Sequence, residues 1–172
     1  MLKLAGMLCI LAGCIGWGGS KIREERRRVE HLRELIRIIR RIQNEISYGK
    51  HTLPEICLIL SEYSDELYQP YFKKIYEQIE QGNGICLIQV WKQQMEQCLE
   101  EVPLLKEEKD ILTNLPRHLG MSEEKQQAES IGQSLDLLMR KCRQAEDAYD
   151  NKSRMIFSVS LLAGIFLTIL ML

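Results

Sequence analysis

Disulfide spacings, metal-ligand spacings and long runs of two-residue hydrophobic period are missing from this chain, and prolines and aromatics are scarce. The six cysteines of the 172 residues form no CxxC pair, and no histidine lies at ligand spacing from any of them. That excludes a disulfide framework and a zinc site of ordinary spacing. Cys9 and Cys14 fall inside an apolar stretch, whereas Cys57, Cys86, Cys98 and Cys142 stand singly on helix-like segments. They read as buried, reduced thiols of a cytosolic core. Without period-two alternation no strands are expected. Gly82-Asn83-Gly84 is not followed by GK[ST], so a phosphate-binding loop is absent. His31, His51 and His118 have no acid at motif spacing and read as surface or capping residues. No serine sits in a nucleophile elbow. Glu24-Glu25, Glu100-Glu101 and Glu107-Glu108 read as solvated helix faces, with a weak divalent-ion site as the alternative. The pattern is not that of an enzyme, and no cofactor or resident metal is expected. A net charge of −1 excludes nucleic-acid binding by bulk charge.

What the chain does have is two apolar ends with basic flanks. Met1–Ser20 is apolar apart from Lys3, and Lys21, Arg23, Arg26, Arg27 and Arg28 follow at once. Met155–Leu172 carries no charge and is preceded by Lys152 and Arg154. Basic flanks stay on the cytoplasmic side of a membrane, and each stretch has just enough residues to cross about 30 Å of hydrocarbon. The expected organisation is an anchor over 1–20, a cytosolic domain over 21–154 and a second anchor over 155–172, with both termini outside. Lys21, Arg23, Arg26, Arg27, Arg28, Lys152 and Arg154 are expected to meet lipid headgroups. Leu11-Ala12-Gly13-Cys14 spells a lipobox, so a lipid-anchored surface protein through Cys14 is an alternative. The basic run directly after the segment opposes translocation and favours an uncleaved anchor.

Between the anchors the chain is rich in helix formers. Ile22, Val29, Leu32, Ile36, Ile39 and Ile46 trace a three-four seam with Gln43 as its polar member, widened by Leu35, Ile38 and Ile42. From Lys21 to Ser47 this predicts a helix of about 40 Å, stopped at Tyr48-Gly49. Thr52-Leu53-Pro54-Glu55 reads as a capping box opening a short helix to Tyr63. Pro70 restarts a helix with Tyr68, Phe72, Ile75 and Ile79 inward, ended by Gly82-Asn83-Gly84. Leu87, Trp91, Met95 and Cys98 form the next face, up to Pro103, and Trp91 suits the core. Pro116 should kink or end a helix before Leu115. Ser122 is a good N-cap for a last helix whose seam runs Ala128, Ile131, Leu135, Leu138, Cys142, Ala145 and Tyr149. The first and last helices must run antiparallel, with Leu135 and Leu138 expected near Ile36 and Ile39. The predicted fold is all-α: a bundle of about six helices whose long first and last helices continue into transmembrane helices.

The order of short motifs resembles a known family. Glu45-Ile46-Ser47-Tyr48-Gly49 is followed by Leu53-Pro54-Glu55, then by Gly84 and Trp91. Leu119-Gly120-Met121-Ser122-Glu123 and Gln127 close the series before the long helix. This arrangement resembles the stage III sporulation protein AB family of endospore-forming bacteria, over the whole chain. Glu123 stands where Asp is commoner in the family, and Pro116 interrupts the segment before Leu119-Gly120. The resemblance implies a place in the mother-cell membrane around the forespore, in a complex linking the two cells. It implies similarity to the inner-membrane platform protein of type II secretion and type IV pilus machines. The implied partners are a cytosolic secretion-type ATPase, like stage III sporulation protein AA, and other channel membrane proteins; self-association is compatible with it. Partner docking is expected at the turns carrying these motifs, on Gly49, Lys50, His51, Pro54, Gly120 and Met121.

A helical membrane sensor or adaptor, its long seams relaying a signal, is the competing reading, although no ligand-pocket signature accompanies it. Topology separates the cytosolic-domain readings from the lipid-anchored one. A reporter active only outside the cytosol, fused after Leu172, is expected to be active, because Lys152 and Arg154 hold the inner flank. Activity of a cytosol-only reporter at that position would overturn the topology.

Overall fold

The computed structural model describes residues 2–49, 51–81, 86–119 and 124–171, with backbone alone for those up to 21 and for much of 157–171. Seven α-helices and no strand occur among the described residues: α1 (Leu2–Asn44), α2 (Leu53–Tyr63), α3 (Gln69–Glu80), α4 (Leu87–Glu100), α5 (Lys106–Thr113), α6 (Leu115–Leu119) and α7 (Glu124–Met171). The chain divides into two compact units, one made of Met1–Val29 with Arg143–Leu172 and the other of Glu30–Cys142. Five short helices separate α1 from α7, one more than the upper expectation, because the segment around Pro116 forms two.

In the Glu30–Cys142 unit, α1 supplies the floor of the core. Leu32, Leu35, Ile39 and Ile42 are fully buried and Ile38 nearly so; each such side chain contributes about 1.5–3 kcal/mol of apolar burial. The predicted seam is displaced, since Ile36 is only half-buried while the flanking Leu35 and Ile38 are inside. More than one neighbour packs on this helix, so its buried face is wider than a two-helix seam. Arg40 Nη2 lies 3.7 Å from Met139 Sδ, and a side chain at Gly132 would meet Gln43 Nε2 at 3.5 Å. The partner number on α7 falls as that on α1 rises, so the two run antiparallel here, as predicted. This register sets Leu135 and Leu138 level with Ile42 and Ile39, about a turn beyond the predicted Ile36 and Ile39. Ile131, Leu135, Leu138 and Cys142 are buried, as their spacing requires.

The predicted stop of α1 takes an unexpected form. The α-helical pattern ends at Asn44 and a π-helical turn covers Glu45–Gly49, a wider coil frequent at functional positions. α2 has the predicted bounds. Tyr68, just before α3, is buried with Phe72 and Ile75 on it, and α4 buries Trp91, Met95 and Cys98. The predicted inward Ile79 and Leu87, towards the end of α3 and at the start of α4, are only half-buried. Phe72 and Trp91 meet at 5.7 Å with rings inclined by 58°, a favourable aromatic geometry. α2 packs on α3, α3 on α4, and α4 on both α5 and α6.

Pro116 ends α5 as predicted, and the structure shows how the break is tolerated. In an unbroken helix the amide of residue 116 would donate to the carbonyl of Leu112, but proline has no amide hydrogen. The indole Nε1 of Trp91 donates to that carbonyl instead, at 2.9 Å in a buried position. Asn114 completes the end, its backbone N and side-chain Nδ2 both donating to Asp110 O, at 3.0 Å and 2.9 Å.

Two readings of side-chain placement are corrected. Cys86 is exposed, whereas Cys57, Cys98 and Cys142 are buried, because Cys86 precedes α4 instead of lying on its inner face. Glu108 is fully buried, not solvated: its carboxylate turns back to accept from the amide of Leu105 at 2.8 Å. Glu107 stays outside and pairs with Lys141. Gly82-Asn83-Gly84, Gly120 and Ser122 lie outside the described residues.

In the unit formed by the chain ends, Val29 and Ala145 are buried and Lys152 pairs with Glu25 across the two helices. No helix among the described residues is long and apolar enough to cross a membrane. The side chains of the first apolar stretch lie outside the description, and the predicted spans therefore remain a reading of the sequence.

Leu138 is fully buried, so Leu138→Ala is expected to cost about 2–5 kcal/mol and Leu135→Ala somewhat less. Thermal unfolding followed by circular dichroism measures both. A neutral Leu138→Ala would mean that this face of α7 is not covered by the core.

Candidate functional site

Burial alone pushes the Cys57 and Cys98 thiols up to about 12, so both stay protonated and are poor nucleophiles. Burial chiefly, with the negative charges of Glu34 and Asp65 nearby, also raises the Tyr68 phenol above its usual range. Its hydroxyl shares a 3.1 Å hydrogen bond with Nδ1 of half-buried His31, and the rings meet edge to face at 6.2 Å. This fixes α1 to the start of α3. Three or more His, Cys, Asp or Glu able to hold a metal are not grouped among the described residues.

The predicted docking turn follows the π-helical segment. Gly49 is its last residue, His51 is exposed, and Pro54 occupies the first turn of α2. Lys50, Gly120 and Met121 lie outside the described residues. Glu55 accepts from the Thr52 amide at 2.6 Å and from the Thr52 hydroxyl at 2.8 Å. The backbone bond, then the hydroxyl, holds the Glu55 carboxyl below its usual range. Glu45 joins the turn to α1: one oxygen lies 3.6 Å from Arg41 Nε and the other 2.9 Å from His51 Nδ1.

Arg41 also borders a feature that sequence reasoning missed. A groove of about 490 Å³ lies between the later part of α1 and the end of α2. Arg37, Arg40 and Arg41 line it from one side, Tyr63, Ser64 and Asp65 from the other, with Ile38 and Leu60 among the apolar residues. The Arg41 guanidinium sits 4.7 Å above the Tyr63 ring. Buried Glu34 pairs with Arg37 and accepts from the Asp65 amide at 3.1 Å. The spacing Arg37, Arg40, Arg41 puts the three on adjoining positions of one helix face, which was the available signal. Their opposite wall arrives from more than twenty residues later and carries no motif.

The basic residues assigned to lipid lie in the unit of the chain ends. Arg23, Arg26, Arg27, Lys152 and Arg154 are exposed. Arg28 lies 3.7 Å from Glu25, which also takes Lys152, so part of this charge is matched within the chain. Nothing is described of the Lys21 side chain.

Sequence comparison matches residues 3–172 to the family described as Stage III sporulation protein AB. The chain belongs to that family. It is 26% identical over 174 residues to Stage III sporulation protein AB of Bacillus subtilis (strain 168), covering 99% of each. A solved structure of Stage III sporulation protein AB superimposes with a TM-score of 0.65 at 21% identity, over 72% of this chain and 97% of that one. The fold of the family is thus shared.

The capping box that opens α2 has a definite pH signature. A carboxyl held below 4.5 in the folded chain contributes stability that is present above that value and lost as pH falls through the folded one. Glu55→Gln is expected to lower the thermal midpoint at pH 7, and the deficit should shrink below about pH 4.5. An undiminished deficit at pH 3 would show that the charge is not what Glu55 contributes.

Proposed function

We propose that this chain is a non-enzymatic platform of a sporulation channel complex, held in the membrane by residues 1–20 and 155–172 and docking a cytosolic secretion-type ATPase. Membership of the stage III sporulation protein AB family over nearly the full chain is the observation that carries this reading. On it, the mother-cell membrane around the forespore is the location, both termini are extracytoplasmic, and residues 21–154 face the cytosol. Lys21, Arg23, Arg26, Arg27, Arg28, Lys152 and Arg154 meet anionic headgroups, at roughly 1 kcal/mol each near the surface. The sequence-level resemblance to secretion platform proteins supports the ATPase as partner. The helical bundle, with the buried Cys57 and Cys98 thiols protonated and the buried Glu34 and Glu108 carboxylates engaged in structural bonds, is compatible with a scaffold role.

Docking is proposed at the turn containing Gly49, Lys50, His51 and Pro54, with Gly120 and Met121. His51 is exposed there, so a charge can be introduced without touching the core. The full chain in detergent is expected to retain the secretion-type ATPase encoded beside it in a pull-down. His51→Glu or Lys50→Glu should weaken retention, and replacing Arg26–Arg28 should not. Retention that survives both turn variants but fails without the arginines would move the interface beside the membrane. No retention by the unaltered chain would sink the ATPase reading.

A further inference from the structure

In the unit of the chain ends, one carboxylate is turned inward where basic residues surround it. Glu25 lies one turn before buried Val29 on the same side of α1, and its side chain is only 18% exposed. Its Oε2 is covered and has no hydrogen-bond partner; Arg28 Nη1 stands 3.7 Å from it, beyond hydrogen-bond reach. Oε1 accepts from Nζ of Lys152 on α7, 127 positions away in sequence. Lys152 is not enclosed by this contact, since 47% of its side chain stays exposed. Its neighbour Arg154 is exposed and pairs with no acid among the described residues. Two basic residues two positions apart thus differ in one respect: the charge of Lys152 is met from within the chain and that of Arg154 is not.

We infer that Glu25 competes with anionic phospholipid for Lys152, so that the chain itself holds back part of the charge its basic flanks offer to a membrane. The inference rests on the reading that these flanks meet headgroups. Opposite charges in contact cancel most of each other's field a few ångströms away, so a lysine paired with a carboxylate attracts a phosphate far less than a lone one. Glu25 has no better place to turn. A carboxylate with one oxygen covered and unbonded is costly to leave without its cation, and Lys152 is the group that compensates it. Lipid is the competitor because bases outnumber acids in this unit and Lys152 stands three positions before the uncharged stretch Met155–Leu172, at headgroup depth if that stretch is a span. Competition is reciprocal. A headgroup that takes Lys152 leaves Glu25 to Arg28 on its own helix and removes the tie between α1 and α7 at this level.

The test uses the full chain in non-ionic detergent, titrated with phosphatidylglycerol and followed by native mass spectrometry. Glu25→Gln is expected to raise the affinity about fivefold, which is what one further basic residue contributes near an anionic surface. Lys152→Gln should change the affinity of the otherwise unaltered chain less than twofold, whereas Arg154→Gln should lower it about fivefold; this comparison leaves Glu25 untouched. Combined with Glu25→Gln, Lys152→Gln should abolish the gain. An unchanged affinity in Glu25→Gln, a gain that survives Lys152→Gln, or equal losses from Lys152→Gln and Arg154→Gln overturns the proposal. So does an equal gain in binding inorganic phosphate, which would make the competitor a soluble anion. If neither Arg154→Gln nor the joint change Arg26→Gln with Arg27→Gln weakens phosphatidylglycerol binding, the headgroup reading itself fails. Weakening there with no gain from Glu25→Gln sinks the competition alone.

Discussion

The buried face of α1 is too wide for one neighbour to cover, and the arrangement of the Glu30–Cys142 unit follows from that. At 100° per residue, Leu32, Leu35, Ile38, Ile39 and Ile42 spread over roughly a third of the helix circumference. A single antiparallel helix covers a narrow stripe, so α7 can take one flank only. The other flank is taken by α2 and the start of α3, fixed by Glu34 to the Asp65 amide and by His31 to Tyr68. The remaining helices then have α2 and α3 to pack on, in succession. Once both flanks are occupied, the charged face of α1 becomes the floor of a groove instead of an open helix surface. Arg37, Arg40 and Arg41 thereby acquire a wall opposite them.

Features governed by neighbours in sequence were legible before the structure. The bounds of α2 follow from Thr52, Pro54 and Glu55, whose capping interactions need nothing beyond one turn. The break at Pro116 follows from a missing amide, and the buried seam of α7 from spacing alone. Features that depend on a second segment were not legible. Ile36 and Leu35 are equally apolar, and only the directions from which α2 and α7 arrive decide which is inside. Glu108 has the ordinary place of an N3 acid, but the sequence does not reveal that α5 turns that position inward. Tyr63 gains meaning only opposite Arg41, which stacks on its ring. The docking residues were read from motifs, and those within the described residues sit on a turn whose shape, a π-helical exit from α1, has no sequence signature.

The charges of the two units differ in how they are used. Near the chain ends, one carboxylate, Glu25, serves both Lys152 and Arg28, and the exposed arginines around it outnumber their acids. That excess suits a surface of opposite sign, such as anionic lipid. In the other unit acids outnumber bases, and several bases are paired, as in Lys141 with Glu107 and Arg37 with Glu34. Exposed pairs of this kind add little to stability.

The hydrogen bond from the Trp91 indole to the Leu112 carbonyl binds the histories of two distant positions together. A proline at 116 is tolerable because an indole donor reaches the carbonyl that the proline abandons, and a buried donor at 91 is tolerable because that carbonyl is vacant. Neither residue is neutral alone. If position 91 loses its donor while proline stays at 116, the Leu112 carbonyl is left buried without the bond it now accepts. In this chain the two positions are coupled, so the double change should be milder than the sum of the single ones.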